Sequence, residues 1–176
     1  MDGLAGTIGL HKVDHIGIAV RSIESTMPLF RDLLGGEFIN GGDDPVLGIR
    51  TVQLRLAPGI RVELLQPVTD DCYLHAVIDK RGEGVHHITV IVADIHHALA
   101  ALDEAGYEVV DTDLESDPTW KQTYIRPRSG HGLLLQVVES DHDWDAPDPG
   151  SSLDEALAGR MVWQGDHAIP RSQYEA

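Results

Sequence analysis

The chain has 176 residues, 42% of them apolar and 24% charged, and 29 acidic residues against 13 basic ones leave a formal charge of −16. That balance repels phosphate backbones and anionic lipid surfaces, which excludes nucleic acid and membranes as expected partners; an anionic substrate would need a local basic group. The single cysteine, Cys72, cannot close an internal disulfide, no apolar run is long enough to span a bilayer, and the N-terminus lacks the basic start and apolar stretch of a secretory signal, so a cytoplasmic protein is expected.

In chain order, residues 1 to 11 are a glycine-rich lead-in, and a strand is expected over 12 to 20. Ser22 caps a helix over about 23 to 34, whose apolar stripe is Ile23, Met27, Phe30, Leu33 and Leu34 and whose stop is Gly35-Gly36. A short strand at 37 to 40 precedes a turn cluster, Asn40-Gly41-Gly42-Asp43-Asp44-Pro45. Strictly alternating residues 50 to 57, a Pro58-Gly59 turn and residues 60 to 66 then read as a β-hairpin. A connection with a short helix around Leu74, Val77 and Ile78 follows, ending at Gly82-Glu83-Gly84. The order of elements then repeats: strand 85 to 92, helix 94 to 105, strand 107 to 111, strand 120 to 126, the turn Pro127-Arg128-Ser129-Gly130, and strand 132 to 139. The tail from 141 is different in kind, and its Ser152-Leu153-Asp154-Glu155 is a capping box that opens a short helix.

The duplication is visible residue by residue. Val13-Asp14-His15-Ile16-Gly17-Ile18-Ala19-Val20 is written again as Val85-His86-His87-Ile88-Thr89-Val90-Ile91-Val92. His15 and His87 are 72 positions apart, and Glu63 and Gln136, each in an apolar strand, are 73 apart. Only two copies of so long a unit fit, which implies a duplicated module rather than a repeat array. Alternation turns His15, Gly17, Ala19 and His87, Thr89, Ile91 away from the Ile16/Ile18/Val20 and Ile88/Val90/Val92 faces, and turns Glu63 and Gln136 the same way. Two imidazoles, a carboxylate and an amide oxygen then line one cleft, an N/O set suited to a divalent ion such as Zn²⁺, Mn²⁺, Fe²⁺, Co²⁺ or Ni²⁺ with positions left for water or substrate.

The segments Asp14–Val20, Val62-Glu63-Leu64-Leu65-Gln66-Pro67, Gly84-Val85-His86-His87-Ile88 and Pro127–Gln136 resemble the vicinal oxygen chelate superfamily, most closely its methylmalonyl-CoA epimerases and the glyoxalase I branch. The resemblance covers about residues 12 to 140 and implies an α+β fold of two paired βαβββ modules, 12 to 68 and 83 to 140, around an open, barrel-like cleft, with 141 to 176 as a tail. It implies metal ligands His15, Glu63, His87 and Gln136, a homodimer, and an isomerase, epimerase or lyase acting on a carbonyl compound or acyl-CoA by loss of the adjacent proton. A ring-cleaving dioxygenase or a ligand-binding protein without catalysis are the alternatives.

Two departures bear on mechanism. Gln136 stands where the family usually has Glu and Glu63 where the epimerases often have Gln, so the charge of the ligand set is kept; and the resemblance places glutamate bases at Gln53 and Gln136, where this chain has amides that accept no proton near neutral pH. Glu63, His131 or a metal-bound hydroxide is therefore the candidate acid–base group. Gln53 and Arg55, with Gln122 and Tyr124 in the corresponding places of the second half, are the candidate substrate contacts, with Arg55 suited to a carboxylate or phosphate. His86 faces away from His87 and reads as structural, and His96-His97 fall on an exposed helix.

Overall fold

The computed structural model describes residues 7–57, 59–141, 146–165 and 167–174. It is α+β, with strands outweighing helices: β1 (Leu10–Ala19), α1 (Ile23–Met27), β2 (Glu37–Asp44), β3 (Ile49–Ala57), β4 (Ile60–Pro67), α2 (Leu74–Arg81), β5 (Gly84–Val92), α3 (Ile95–Glu104), β6 (Val109–Asp113), β7 (Lys121–Ile125), β8 (Leu135–Glu139), α4 (Leu153–Leu157), β9 (Met161–Gln164), β10 (His167–Pro170) and α5 (Arg171–Tyr174). Among the described residues no helix is long and apolar enough to cross a membrane. Two compact units result, one of Ile16–His86 with Asp143–Ala176, the other of Met1–His15 with His87–His142. The division falls inside β1 and β5 rather than in the 67 to 84 connection, because residues before β1 are held by the second half: Ala93 N donates to Gly9 O at 3.2 Å, and a His97 ring nitrogen lies 3.0 Å from Thr7 O.

In the first unit the strand order is β10-β9-β2-β3-β4-β1. β1 runs parallel to β4, and β3 antiparallel to both β2 and β4. Residues directly opposed across a ladder share a face, so the pairs Gly17↔Glu63, Glu63↔Gln53 and Gln53↔Asn40 form one polar row across four strands. The opposite face carries Val52, Leu54, Val62 and Leu64, packed against Val20, Ile23 and Met27 with Ile18 and Phe30 beside them. Burying each such side chain contributes about 1.5 to 3 kcal/mol. α2 covers one end of the polar face, where Ala19, Ile49 and Leu65 pack with Cys72, Leu74 and Ile78.

Ser22 caps α1 as its sequence predicts, accepting from Ser25 N at 3.3 Å. The helix does not stay α-helical, however: a π-helical turn over Pro28–Leu33 follows, with Leu34 N donating to Leu29 O at 2.9 Å. The wider turn shifts the stripe's phase. Phe30 stays on the core, while Leu33 and Leu34, expected beside it, are 80% and 48% exposed.

The expected turn at 40 to 45 is instead the second half of β2, and the chain turns at residues 45 to 48. Composition misled because Asn40-Gly41-Gly42 belong to a strand paired on both sides, by β3 and by β9. Gly41 is required there for closeness: a Cβ would meet Thr51 O at 2.7 Å and Ala156 Cβ at 3.2 Å. The tail that brings Ala156 and β9 to this place thus completes the sheet, closing the β2 edge that the sequence left open. Its helix α4 is capped by Ser152, which accepts from Glu155 N at 3.3 Å.

The second unit contains β5-β8-β7-β6 in that order, with β5 parallel to β8 and the rest antiparallel. Thr89↔Gln136 and Gln136↔Tyr124 repeat the polar row of the first unit. Val90, Val92 and Val137 pack on the other face against Ile95 and Ala98 of α3. β6 begins later than predicted, at Val109, because Tyr107 N still donates to Leu102 O at 2.9 Å, and β8 at Leu135, because residues 127 to 133 close on themselves through Gly132 N donating to Pro127 O at 2.8 Å and Leu133 N to Gly130 O at 3.0 Å.

Candidate functional site

β1 and β5 each deliver a histidine to one buried point. His15 Nε2 and His87 Nε2 lie 3.2 Å apart, and the rings meet edge to face with an interplanar angle of 80°. The Asp14 carboxylate is 2.8 Å from His15 Nδ1. A carboxylate only accepts, so the proton of His15 sits on Nδ1 and the Nε2 lone pair points toward His87. Lys12 Nζ lies 3.3 Å from the other Asp14 oxygen, which supports the carboxylate as an anion.

Thr89 and Gln136 complete this cluster. Thr89, two residues beyond His87 and so on the same face, is fully buried and places Oγ1 2.9 Å from His15 Nε2. Its hydroxyl donates to Gln136 Oε1 at 2.6 Å. Gln136 Nε2 donates to Gln122 Oε1 at 2.7 Å and to Tyr124 Oη at 2.8 Å, which fixes the amide with its oxygen toward the histidines. Gln122 is held in turn by Trp120 Nε1 at 2.9 Å and Tyr124 Oη at 3.2 Å. Gln122 and Tyr124, expected as substrate contacts, thus aim the Gln136 amide.

This donor set passes a simple test for a divalent ion. Two imidazole nitrogens bound to one ion at 2.0 to 2.1 Å, at angles of 90° to 109°, stand about 2.8 to 3.4 Å apart, and the observed separation is 3.2 Å. Without an ion the pair is satisfied by a proton on His87 Nε2; exchanging that proton for a cation leaves two nitrogen lone pairs converging on one point.

In the other unit, Glu63 on β4 faces Gln53 on β3, whose Nε2 donates to Glu63 Oε1 at 3.2 Å. Gln53 is buried and its own Oε1 has no hydrogen-bond partner among the described residues. Nearby, partial burial raises the Tyr73 phenol to about 12, with the negative charges of Cys72, Glu63 and Asp44 pushing the same way. Burial also holds the His86 imidazole below its ordinary value, opposed by the attraction of Glu63. The His86 ring packs on Tyr73 at 5.8 Å between ring centroids.

Arg55, two residues from Gln53 on β3, is ion-paired across the strands with Glu37. His131 is exposed, in the left-handed conformation at φ 54°, within the turn before β8 and outside the Gln136 network. Reasoning on the sequence missed Asp14 and Thr89 as parts of the site. Asp14 and Thr89 were legible in principle, one adjacent to a histidine and the other two residues along the same face.

Residues 14–124 match the family model of the Glyoxalase/Bleomycin resistance protein/Dioxygenase superfamily. The chain belongs to that superfamily. It is 32% identical over 131 residues to the ethylmalonyl-CoA/methylmalonyl-CoA epimerase of Cereibacter sphaeroides, a match spanning 73% of this chain and 97% of that protein. It is 28% identical to the uncharacterised protein YqjC of Bacillus subtilis, over 76% of this chain and 96% of that one. Among solved structures, a Streptomyces coelicolor methylmalonyl-CoA epimerase in complex with 2-nitronate-propionyl-CoA superposes with a TM-score of 0.66 at 29% identity, covering 76% of this chain and 99% of that chain. The α+β fold of the superfamily, expected from four motifs, is the fold observed.

Proposed function

We propose that this protein is a divalent-metal-dependent enzyme that promotes loss of the proton next to a carbonyl, with an acyl-CoA thioester as substrate and epimerisation as the outcome. The observation that carries the reading is the His15–His87 pair, two buried nitrogens 3.2 Å apart with the first oriented by Asp14. Among the described residues, His15, His87 and Glu63 supply two imidazoles and a carboxylate suited to holding the ion, and Gln136, whose Oε1 accepts from Thr89, is the fourth ligand in this reading. Register supports including Glu63, which pairs with Gly17, two residues beyond His15 on the same strand face. A bound ion of this class supplies Lewis-acid polarisation of a carbonyl, which lowers the barrier to losing the neighbouring proton.

The chain's own residues do the rest. Asp14 fixes the tautomer of His15, and Thr89, Gln122 and Tyr124 fix the Gln136 amide. Gln53 and Gln136 are amides and move no proton, so acid–base work falls to Glu63. The thioester is supported by the acyl-CoA epimerases among the relatives and by the acyl-CoA analogue in the similar solved structure. A glyoxalase-type lyase, which depends on the same proton loss, is the second reading, favoured by the absence of carboxylates at positions 53 and 136.

The test is deuterium exchange from D₂O into C2 of methylmalonyl-CoA and ethylmalonyl-CoA, with protein loaded in turn with Co²⁺, Mn²⁺, Ni²⁺ and Zn²⁺. Exchange is expected, and Glu63→Gln should abolish it. Stoichiometric metal without exchange into either thioester would overturn the acyl-CoA reading, and exchange into a 2-oxo thiol adduct instead would select the lyase.

A further inference from the structure

The tail does more than close an edge. β9 lies beside β2 with Asp43↔Val162 in register, which sets Trp163 next to Asp44, one strand beyond β3. From there the indole reaches across β2, and Trp163 Nε1 donates to Thr51 Oγ1 at 2.7 Å. Thr51 is two residues from Gln53 on the same strand, so both side chains project from one face, about 7 Å apart. That is the face of the polar row Asn40–Gln53–Glu63. A second part of the tail lands on the same row: Asp148 accepts from Asn40 Nδ2 at 3.1 Å, and Asp148 N donates to Ile39 O at 3.0 Å.

The tail is also what the relatives lack. The Cereibacter protein and the Streptomyces structure are matched over 97% and 99% of their lengths while leaving about a quarter of this chain unmatched, and the family match ends at residue 124. Their matched lengths leave no room for a counterpart of segment 146–174. The buried Gln53 Oε1, without a hydrogen-bond partner among the described residues, adds an independent mark of a ligand on this face. It is an acceptor turned away from Glu63, because its own amide nitrogen already serves that carboxylate.

We propose that Trp163, held by Thr51, is a specificity-determining wall of the substrate site, confining this end of the Gln53–Glu63 row to carbonyl compounds with a small 2-substituent and leaving Gln53 Oε1 to accept from a ligand N–H or O–H. The wall deepens the acyl-CoA reading above and rests on it for the chemistry of the ligand, though not for its own existence. Its energetic basis is rigidity: an aromatic ring tied at both ends excludes bulk without moving, so a larger substituent meets overlap that a flexible side chain would relieve.

The experiment separates the wall from the substrate. With Cys72→Ala removing the native thiol, Gln53→Cys is reacted with methyl, propyl and benzyl methanethiosulfonates. The benzyl reagent should react at least tenfold more slowly than the methyl one. Adding Trp163→Ala should erase that difference, and Thr51→Val, which frees the indole without removing it, should reduce it. Trp163→Phe keeps a ring and should hold most of the discrimination, which guards against a misfolded alanine variant. In parallel, Trp163→Ala should lower KM for acyl-CoAs with 2-propyl and 2-butyl groups relative to 2-methyl. Reagent rates that do not depend on Trp163 would overturn the wall. Size discrimination that vanishes with Trp163→Ala, joined to no exchange in any acyl-CoA, would uphold the wall and overturn the acyl-CoA reading.

Discussion

The two modules place the same row of side chains on the same ladder and then treat it differently. In one, Gly17 stands two residues after the histidine and opposite Glu63; in the other, Thr89 stands two residues after the histidine and opposite Gln136. Glycine leaves a gap where threonine fills it. The Thr89 hydroxyl donates to Gln136 Oε1, and Gln122 and Tyr124 fasten the far side of the amide, so this position is locked by three side chains. Glu63 receives the Gln53 amide and faces a strand partner with no side chain at all. The contrast is one of fastening: the Gln136 amide is held on both sides by side chains, while Glu63 is met by the Gln53 amide.

The largest effect expected from breaking this comparison is at the histidines. His15→Ala or His87→Ala removes one of two converging nitrogens and should weaken Mn²⁺, Co²⁺, Ni²⁺ or Zn²⁺ binding by more than about 100-fold, because loss of a direct ligand costs more than loss of its orienting partner. Equilibrium dialysis with metal analysis reads this directly. Retention of stoichiometric metal by both variants would remove the histidine pair as the centre of the site. Asp14→Asn comes next. It exchanges an acceptor for a group that also presents N–H to His15 Nδ1, and should weaken the same metals by about 10- to 100-fold, with the Co²⁺ absorption spectrum shifted rather than lost. An unchanged affinity would show that His15 needs no orienting anion.

Thr89→Gly makes the second half copy the first. It removes the hydroxyl that satisfies Gln136 Oε1 and puts glycine in a buried strand interior, so a loss of about 2 kcal/mol in urea unfolding is expected, and Thr89→Ser should recover most of it. If stability is unchanged, the threonine network is incidental and the modules do not differ in rigidity.

What could be read from residues alone follows from where the physics is local. The twofold repeat, the strands carrying His15 and His87, and the caps at Ser22 and Ser152 all depend on short-range pattern and were legible. Asn40-Gly41-Gly42 was not, because its glycines serve a close approach of Ala156 from a segment more than a hundred residues away. Nor was the exposure of Leu33 and Leu34, since a π turn changes the phase of a stripe that periodicity assumes constant. The place of Trp163 beside Thr51 was hidden for the same reason as Gly41, as no local pattern says which strand a tail will join.

The smallest effect concerns how the second half positions its helix. Glu139, at the end of β8, accepts from Ile95 N at 2.8 Å, and Lys121 pairs with it, its Nζ 2.5 Å from a carboxylate oxygen. The Ile95 amide and then the Lys121 ammonium hold this carboxyl below the ordinary glutamate range. A carboxyl whose folded value is depressed binds fewer protons folded than unfolded, so its contribution is complete above the unfolded value, near pH 4.3, and is lost as pH falls through the lower folded value. Glu139→Gln should therefore cost about 1 kcal/mol at pH 7, the scale of a helix cap, and the parent and variant should converge in urea unfolding as pH drops from 5 toward 3. Curves that stay parallel over that range would show that the Ile95 amide and Lys121 do not favour the charged carboxylate, and would leave α3 positioned by Asp94, which accepts from His96 N and His97 N, and by packing of Ile95 and Ala98.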